Sequence, residues 1–298
     1  MRETNIKVSA FGLAFTAALL FGISGAIASD ALADISPARA AQSRAMAAVV
    51  LLLPYAWYRG KLRQRGPWSL LVLFGASLTA VNVAYYEAVD RIGVGPGMTL
   101  QFLAPLMVLV WMRTAEKRSI LKSAWWAAAV ALVGTALIAQ VWQGSSMDLV
   151  GVGAGLVAAG TFAAYLVIGE RLGETMAPSG IMAYGFVISA LMWAVIQPIW
   201  WFPTDLPVKV WGELIWMGVL GTAIPFMLEL RALQRASAGF VGVIATAEPV
   251  IGAVAVWILF SQTMVQLQIF GMVLIVLAVA SVQWRGVAEV EVPLDAGR

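Results

Sequence analysis

Charge in this chain is confined to short breaks between apolar runs of about 20 residues, the length that carries a helix across a bilayer. No other feature limits the fold so strongly. In lipid every backbone N–H and C=O must be satisfied inside the segment, which leaves helices as the spanning element for runs of this length. A soluble domain carries about 25% charged residues, and this one carries 12% with a mean hydropathy of +0.86. The chain therefore reads as an integral membrane protein.

The runs give about ten spans: Val8 to Ala28, Ala40 to Tyr58, Trp68 to Ala88, Pro96 to Met112, Ile120 to Val141, Leu149 to Ile168, Gly180 to Phe202, Val208 to Leu230, Ala238 to Phe260 and Gln266 to Trp284. The first run also has signal-peptide features, with Arg2 and Lys7 ahead of it and Ala26-Ile27-Ala28 as a small-residue site. Its length and its place in an internal repeat favour a span. With the N-terminus inside, four of the 19 Lys and Arg (Arg39, Arg44, Arg91 and Lys209) fall outside and the other 15 fall inside. Both termini are therefore expected in the cytoplasm.

Laid on itself, the chain repeats. Pro54 meets Pro198, Arg91 meets Arg235 and Pro105 meets Pro249 at a shift of 144, while Phe21 meets Phe162 and Pro37 meets Pro178 at a shift of 141. Five spans per half is an odd number, so the second half starts from the opposite face of the membrane. The expected fold class is thus all-α, ten transmembrane helices in two inverted-topology five-helix repeats. The units are residues 1–143 and 144–285, with a disordered cytoplasmic tail over 286–298. Such repeats place a substrate site at the midplane between the halves.

The sequence contains no cysteine and no histidine. That removes disulfides, thiol nucleophiles, imidazole bases and the usual zinc sites. No metal, cofactor or nucleic-acid partner is expected. Two glycine clusters imitate nucleotide motifs. Gly153-Ala154-Gly155 lies inside a span with no strand before it, and Gly151, Gly155 and Ala159 give a close-packing face instead. Gly93, Gly95 and Gly97 around Pro96 read as a turn.

Polar positions in the spans recur on single helical faces. Span 3 carries Thr79, Asn82 and Tyr86, with Tyr85 beside them, and span 8 carries Thr222, Phe226 and Glu229. Span 4 carries Met98, Gln101 and Pro105 with Phe102 adjacent; span 6 offers Phe162 and Tyr165, and span 1 Phe21 and Ser24. Intramembrane polar groups belong in the bundle interior, so these residues are expected to line a substrate pocket. The lining suits a zwitterion with a variable side chain, whereas a sugar phosphate would call for inward arginines. Glu248, in the middle of span 9, is the most expensive of them, at roughly 2.5–3.5 kcal/mol for a central carboxylate. Glu229 has a plainer reading as a partner of Arg231 or Arg235. Arg44 and Glu87, near the outer ends of their spans, read as gate or interface residues. Pro105 and Pro249 each free a carbonyl one turn earlier and so supply a paired hinge.

Ala232-Leu233-Gln234-Arg235, then small residues, Glu248-Pro249-Val250 and Gln268 to Gly271 follow a family run, which the first half repeats as Ala88 to Arg91, Pro105-Leu106 and Glu116. On these residues the chain resembles the EamA-domain, ten-span branch of the drug/metabolite transporter superfamily, with a pattern similar to YddG-type and threonine/homoserine amino-acid exporters. It departs where the family often has an acid after span 9, at Ser261-Gln262. The resemblance implies a multi-pass protein of the bacterial inner membrane that exports small molecules and can act as a monomer. Amino-acid export is the first expectation, and efflux of amphiphiles by proton exchange is the alternative. Both facilitated and proton-coupled transport stay open, whereas no nucleotide loop is present for direct ATP use. An intramembrane enzyme would have to work with little beyond a carboxylate.

Overall fold

The computed structural model describes residues 2–31, 34–64, 66–143, 148–261 and 263–287. Among these no strand forms, and the helices are α1 (Arg2–Ala31), α2 (Pro37–Tyr58), α3 (Trp68–Ile92), α4 (Val94–Gln101), α5 (Ala104–Thr114), α6 (Lys122–Ile138), α7 (Leu149–Gly173), α8 (Pro178–Ile196), α9 (Val208–Gly218), α10 (Ile224–Leu233), α11 (Ala238–Ala245), α12 (Ala247–Phe260) and α13 (Gln266–Arg285). Most of the tail expected to be disordered, and Gln262 after span 9, lie outside the described residues.

Eight helical stretches among the described residues are long and apolar enough to cross a membrane. They comprise α1, α3, α7, α8 and α13 together with the composite stretches Val94–Thr114, Val208–Leu233 and Ala238–Phe260. The two other expected spans are helical but differ in character. α6 is apolar and only 17 residues long, and α2 opens with Arg39, Gln42, Ser43 and Arg44 in its first turns. Helix α8, at the seventh expected span, is shorter than its apolar run, because it ends at Ile196 ahead of Pro198 and passes into a single 3₁₀ turn at Ile199–Trp201.

Helix starts are set locally. Asp148 Oδ1 accepts from Gly151 N at 2.8 Å at the head of α7, and the Ser36 and Ser237 hydroxyls accept from Arg39 N and Phe240 N at 3.4 Å. Gly93, at φ +88°, makes the turn between α3 and α4.

Three spans are broken, and two of the breaks correspond. α4 ends at Gln101 and α5 resumes at Ala104-Pro105; α11 ends at Ala245 and α12 resumes at Ala247-Glu248-Pro249. Each first segment stops four residues before the proline, where the missing N–H would have bonded. The third break is a π turn, Val219–Ala223, joining α9 to α10 just before Pro225. There Thr222 Oγ1 donates to the carbonyl of Met217, five residues back, at 2.8 Å.

α3 packs along α7 and α8, α1 along α10 and α12, α2 along α8 and α9, α4 along α7, and α6 along α13. Small residues permit the approach. A Cβ on Gly134 would stand 2.7 Å from the Gly271 carbonyl across the α6–α13 contact, and one on Gly22 2.9 Å from the Glu248 carbonyl across α1–α12. The glycine face of α7 also packs, with Gly155 against Leu100 and Gly151 against Ile92.

Candidate functional site

A small cavity, about 20 Å³, lies among α2, α3, α8 and the π-turn end of α10. It has room for roughly one water. Ala41, Arg44 and Ala45 line it from α2, Leu78 and Asn82 from α3, Phe186, Ser189 and Trp193 from α8, and Thr222 and Phe226 from the fourth side. Asn82 donates from its amide nitrogen to Leu78 O of its own helix at 2.9 Å. Thr79, fully buried, shares a 2.8 Å hydrogen bond with Ser189 across the α3–α8 contact. Ser24 of α1 lies against Gly221 at the π turn.

Arg44 corrects the sequence reading. Its guanidinium points inward: Nε donates to Thr222 Oγ1 at 2.8 Å and Nη2 to the Gly221 carbonyl at 2.9 Å, and Tyr86 is a further hydrogen-bond neighbour. It is therefore part of the cavity wall, and the expectation of a pocket without inward arginines fails. The carbonyl it reaches is presented by a π turn that periodicity does not reveal.

An aromatic cluster closes the cavity on one side. Phe226 makes edge contacts with Phe21 (4.9 Å), Tyr165 (5.5 Å) and Phe186 (5.5 Å), and Tyr165 continues to Phe74 (5.2 Å) and Phe162 (6.2 Å), with Phe102 beyond. Within this cluster Glu229 is buried, and it accepts a hydrogen bond from the Tyr165 hydroxyl at 2.9 Å. Arg231 and Arg235 are not its partners, which is a second correction. Positions i and i+2 do not face each other on a helix, so Arg231 points away from Glu229.

Glu248 is half-buried at the start of α12, with no hydrogen bond and no ion pair among the described residues. Arg44 and Tyr85 lie within electrostatic reach of it. Of the residues expected in the pocket, Asn82 and Phe226 line it, and Ser24, Thr79 and Tyr86 touch its wall. Phe102, Phe162, Tyr165 and Glu229 form the adjoining cluster. Met98 and Gln101, on α4, are neither in the cavity lining nor in the ring contacts. Arg44, Phe186, Ser189 and Trp193, with the small or aliphatic Ala41, Ala45 and Leu78, line the wall without having been expected in the pocket. Among the described residues no group of three or more acids is placed to hold a metal.

At the end of the bundle where α5 and α7 finish and α11 begins, ion pairs gather. Glu170, 5% exposed, accepts from Arg118 Nη1 at 2.9 Å and from the Ala238 backbone N–H at 2.6 Å. Glu116 bridges Arg118 at 2.9 Å and Arg171 at 3.1 Å, and Arg171 stacks over Trp111 at 5.5 Å. Partial burial opposes the charge on Arg118, but Glu170 and Glu116 outweigh it and raise its pKa above the ordinary arginine value.

Comparison with known proteins adds four findings. The sequence profile described as "EamA-like transporter family" matches twice, over residues 8–140 and 149–283. The threonine/homoserine exporter RhtA of Salmonella typhimurium is 27% identical over 227 residues, covering 71% of this chain and 73% of that protein. The pseudopaline exporter CntI of Pseudomonas aeruginosa is 25% identical over 268 residues, covering 89% and 93%. A solved crystal structure superposes with a TM-score of 0.80 at 19% identity, over 92% of this chain and 96% of that one, and so shares the fold.

Proposed function

The chain belongs to the EamA-like transporter family, and from that premise we propose that it exports amino acids or closely related small metabolites by alternating access. It is a multi-pass membrane protein, and the proposed location is the bacterial inner membrane with both termini in the cytoplasm. The transport unit is taken as a ten-span bundle of two inverted repeats, residues 1–143 and 144–285. A monomer is the proposed transport unit.

One observation carries the reading. Polar and charged side chains from both halves converge on one small cavity, beside an aromatic cluster that contributes Phe226 and Phe186 to its wall. At about 20 Å³ it cannot hold an amino acid as it stands. Binding requires the halves to part, and the matched breaks before Pro105 and Pro249 give both halves a bend at corresponding depth. The exporters most informative about cargo are described as carrying threonine and homoserine, which are amino acids, and pseudopaline.

The aromatic cluster also favours a second reading, efflux of amphiphilic compounds in exchange for protons at Glu248 or Glu229. Counterflow of a panel of labelled amino acids in proteoliposomes separates the two. Saturable movement above protein-free vesicles supports amino-acid export. Movement matching empty vesicles across the panel, with drug protection in cells, supports the second.

A further inference from the structure

A guanidinium and a carboxyl group, Arg44 and Glu248, stand in this bundle without pairing. Among the described residues, Arg44 of the first half has neutral hydrogen-bond neighbours, the Thr222 hydroxyl, the Gly221 carbonyl and Tyr86, and no carboxylate ion pair. Glu248 of the second half has no hydrogen bond or ion pair among the described residues. They lie within electrostatic reach of one another, and the adjacent rings of Tyr85 and Tyr86, 5.7 Å apart, link their surroundings: Tyr86 neighbours Arg44 and Tyr85 neighbours Glu248.

A purely structural arrangement would close this gap. Each isolated charge at membrane depth is costly, and a buried charge is tolerated where it is paired. Keeping the two apart preserves two binding elements of opposite sign, one on each half. A ligand bearing both signs satisfies both and carries no net charge across the membrane potential.

We propose that Arg44 and Glu248 are the two poles of a zwitterion site, Arg44 taking the carboxylate and Glu248 the ammonium group of an α-amino acid whose side chain lies toward Phe226 and Phe186. Arg44 is thereby a specificity-determining residue. The guanidinium offers a planar, multi-donor face suited to a carboxylate. Amines that lack the carboxylate leave Arg44 unanswered, and N-acylated amino acids leave Glu248 unanswered. Because both poles must be engaged, the amino acid bridges the two halves.

This assignment rests on the export reading above, and one experiment tests both separately. Wild-type protein in liposomes is assayed for counterflow with leucine, threonine and phenylalanine, each as the free amino acid, its methyl ester, its decarboxylated amine and its N-acetyl derivative. Transport of none of the free amino acids defeats the export reading. Transport of free amino acids together with equal transport of their esters and amines leaves export standing and overturns the zwitterion site. The expected result is transport of the free forms alone. Arg44→Gln is expected to raise the KM for the free amino acid at least tenfold and to abolish discrimination against the amine, whereas Arg44→Lys retains part of that discrimination. Glu248→Gln is expected to abolish discrimination against the N-acetyl derivative. An Arg44→Gln protein that folds with unchanged KM and unchanged selectivity overturns the assignment. If that variant does not fold, the wild-type ester and amine arms decide alone.

Discussion

Tyr165 of α7 donates its hydroxyl hydrogen to the Glu229 carboxylate of α10 at 2.9 Å, and both side chains are buried. The bond joins the two halves' central aromatic cluster to an acid that has no other hydrogen-bond partner among the described residues. A hydrogen bond contributes roughly 0.5–1.5 kcal/mol net, and leaving its buried partner unsatisfied costs roughly 1–3 kcal/mol. Tyr165→Phe should lower thermal stability in detergent by an amount in that range, and Glu229→Gln should recover part of it. A double-mutant cycle with coupling below about 0.5 kcal/mol would mean the pair is incidental.

Glu170 secures the start of α11 from the end of α7, through Arg118 and the Ala238 N–H. Removing one partner of a buried ion pair costs roughly 3–5 kcal/mol. Arg118 is partly exposed, so the lower end of that range applies. Glu170→Ala should therefore destabilise by about 3 kcal/mol and speed amide exchange in residues 238–242. Exchange there at the wild-type rate would contradict the tether.

Pro249→Ala restores the N–H that would bond the Ala245 carbonyl, and so favours one continuous helix across α11 and α12. The expected outcome is equal or higher thermal stability, with transport slowed at least tenfold and an unchanged KM. Pro105→Ala should behave alike, because α4 and α5 break at the corresponding place. Wild-type turnover in both variants would remove the prolines from the mechanism.

How much of this was legible beforehand depended on whether the signal was local. The apolar runs announced the helices, and Pro105 and Pro249, aligned by a shift of 144, announced the matched breaks. Arg44 was misread because a charge a few residues into a run resembles an interface anchor. Its inward direction depends on a π turn more than 170 residues away, formed by Thr222 reaching back to Met217. Glu229 was given nearby arginines because sequence distance is visible and helix face is easily overlooked. Met98 and Gln101 share a face with Pro105 only if the helix is unbroken, and the interruption after Gln101 takes that register away.

Gly22 and Gly12 of α1 supply a paired test of packing. A Cβ at Gly22 would come within 2.8 Å of Ile251 Cβ and 2.9 Å of the Gly252 amide nitrogen, whereas Gly12 has open space around it. Gly22→Ala should cost roughly 1–3 kcal/mol by overpacking, with loss of transport, and Gly12→Ala should be silent. Equal behaviour of the two would show that the α1–α12 contact is looser than described.

Site accessibility tests alternating access most directly, and the natural chain offers a clean background because it contains no cysteine. An Asn82→Cys variant places one thiol in the cavity wall. Membrane-impermeant maleimide, applied to vesicles from outside or from inside, should label it from either face, and a transported amino acid should slow labelling. Labelling from one face only, unaffected by any amino acid of the panel, would contradict the proposal that this cavity carries cargo across the membrane.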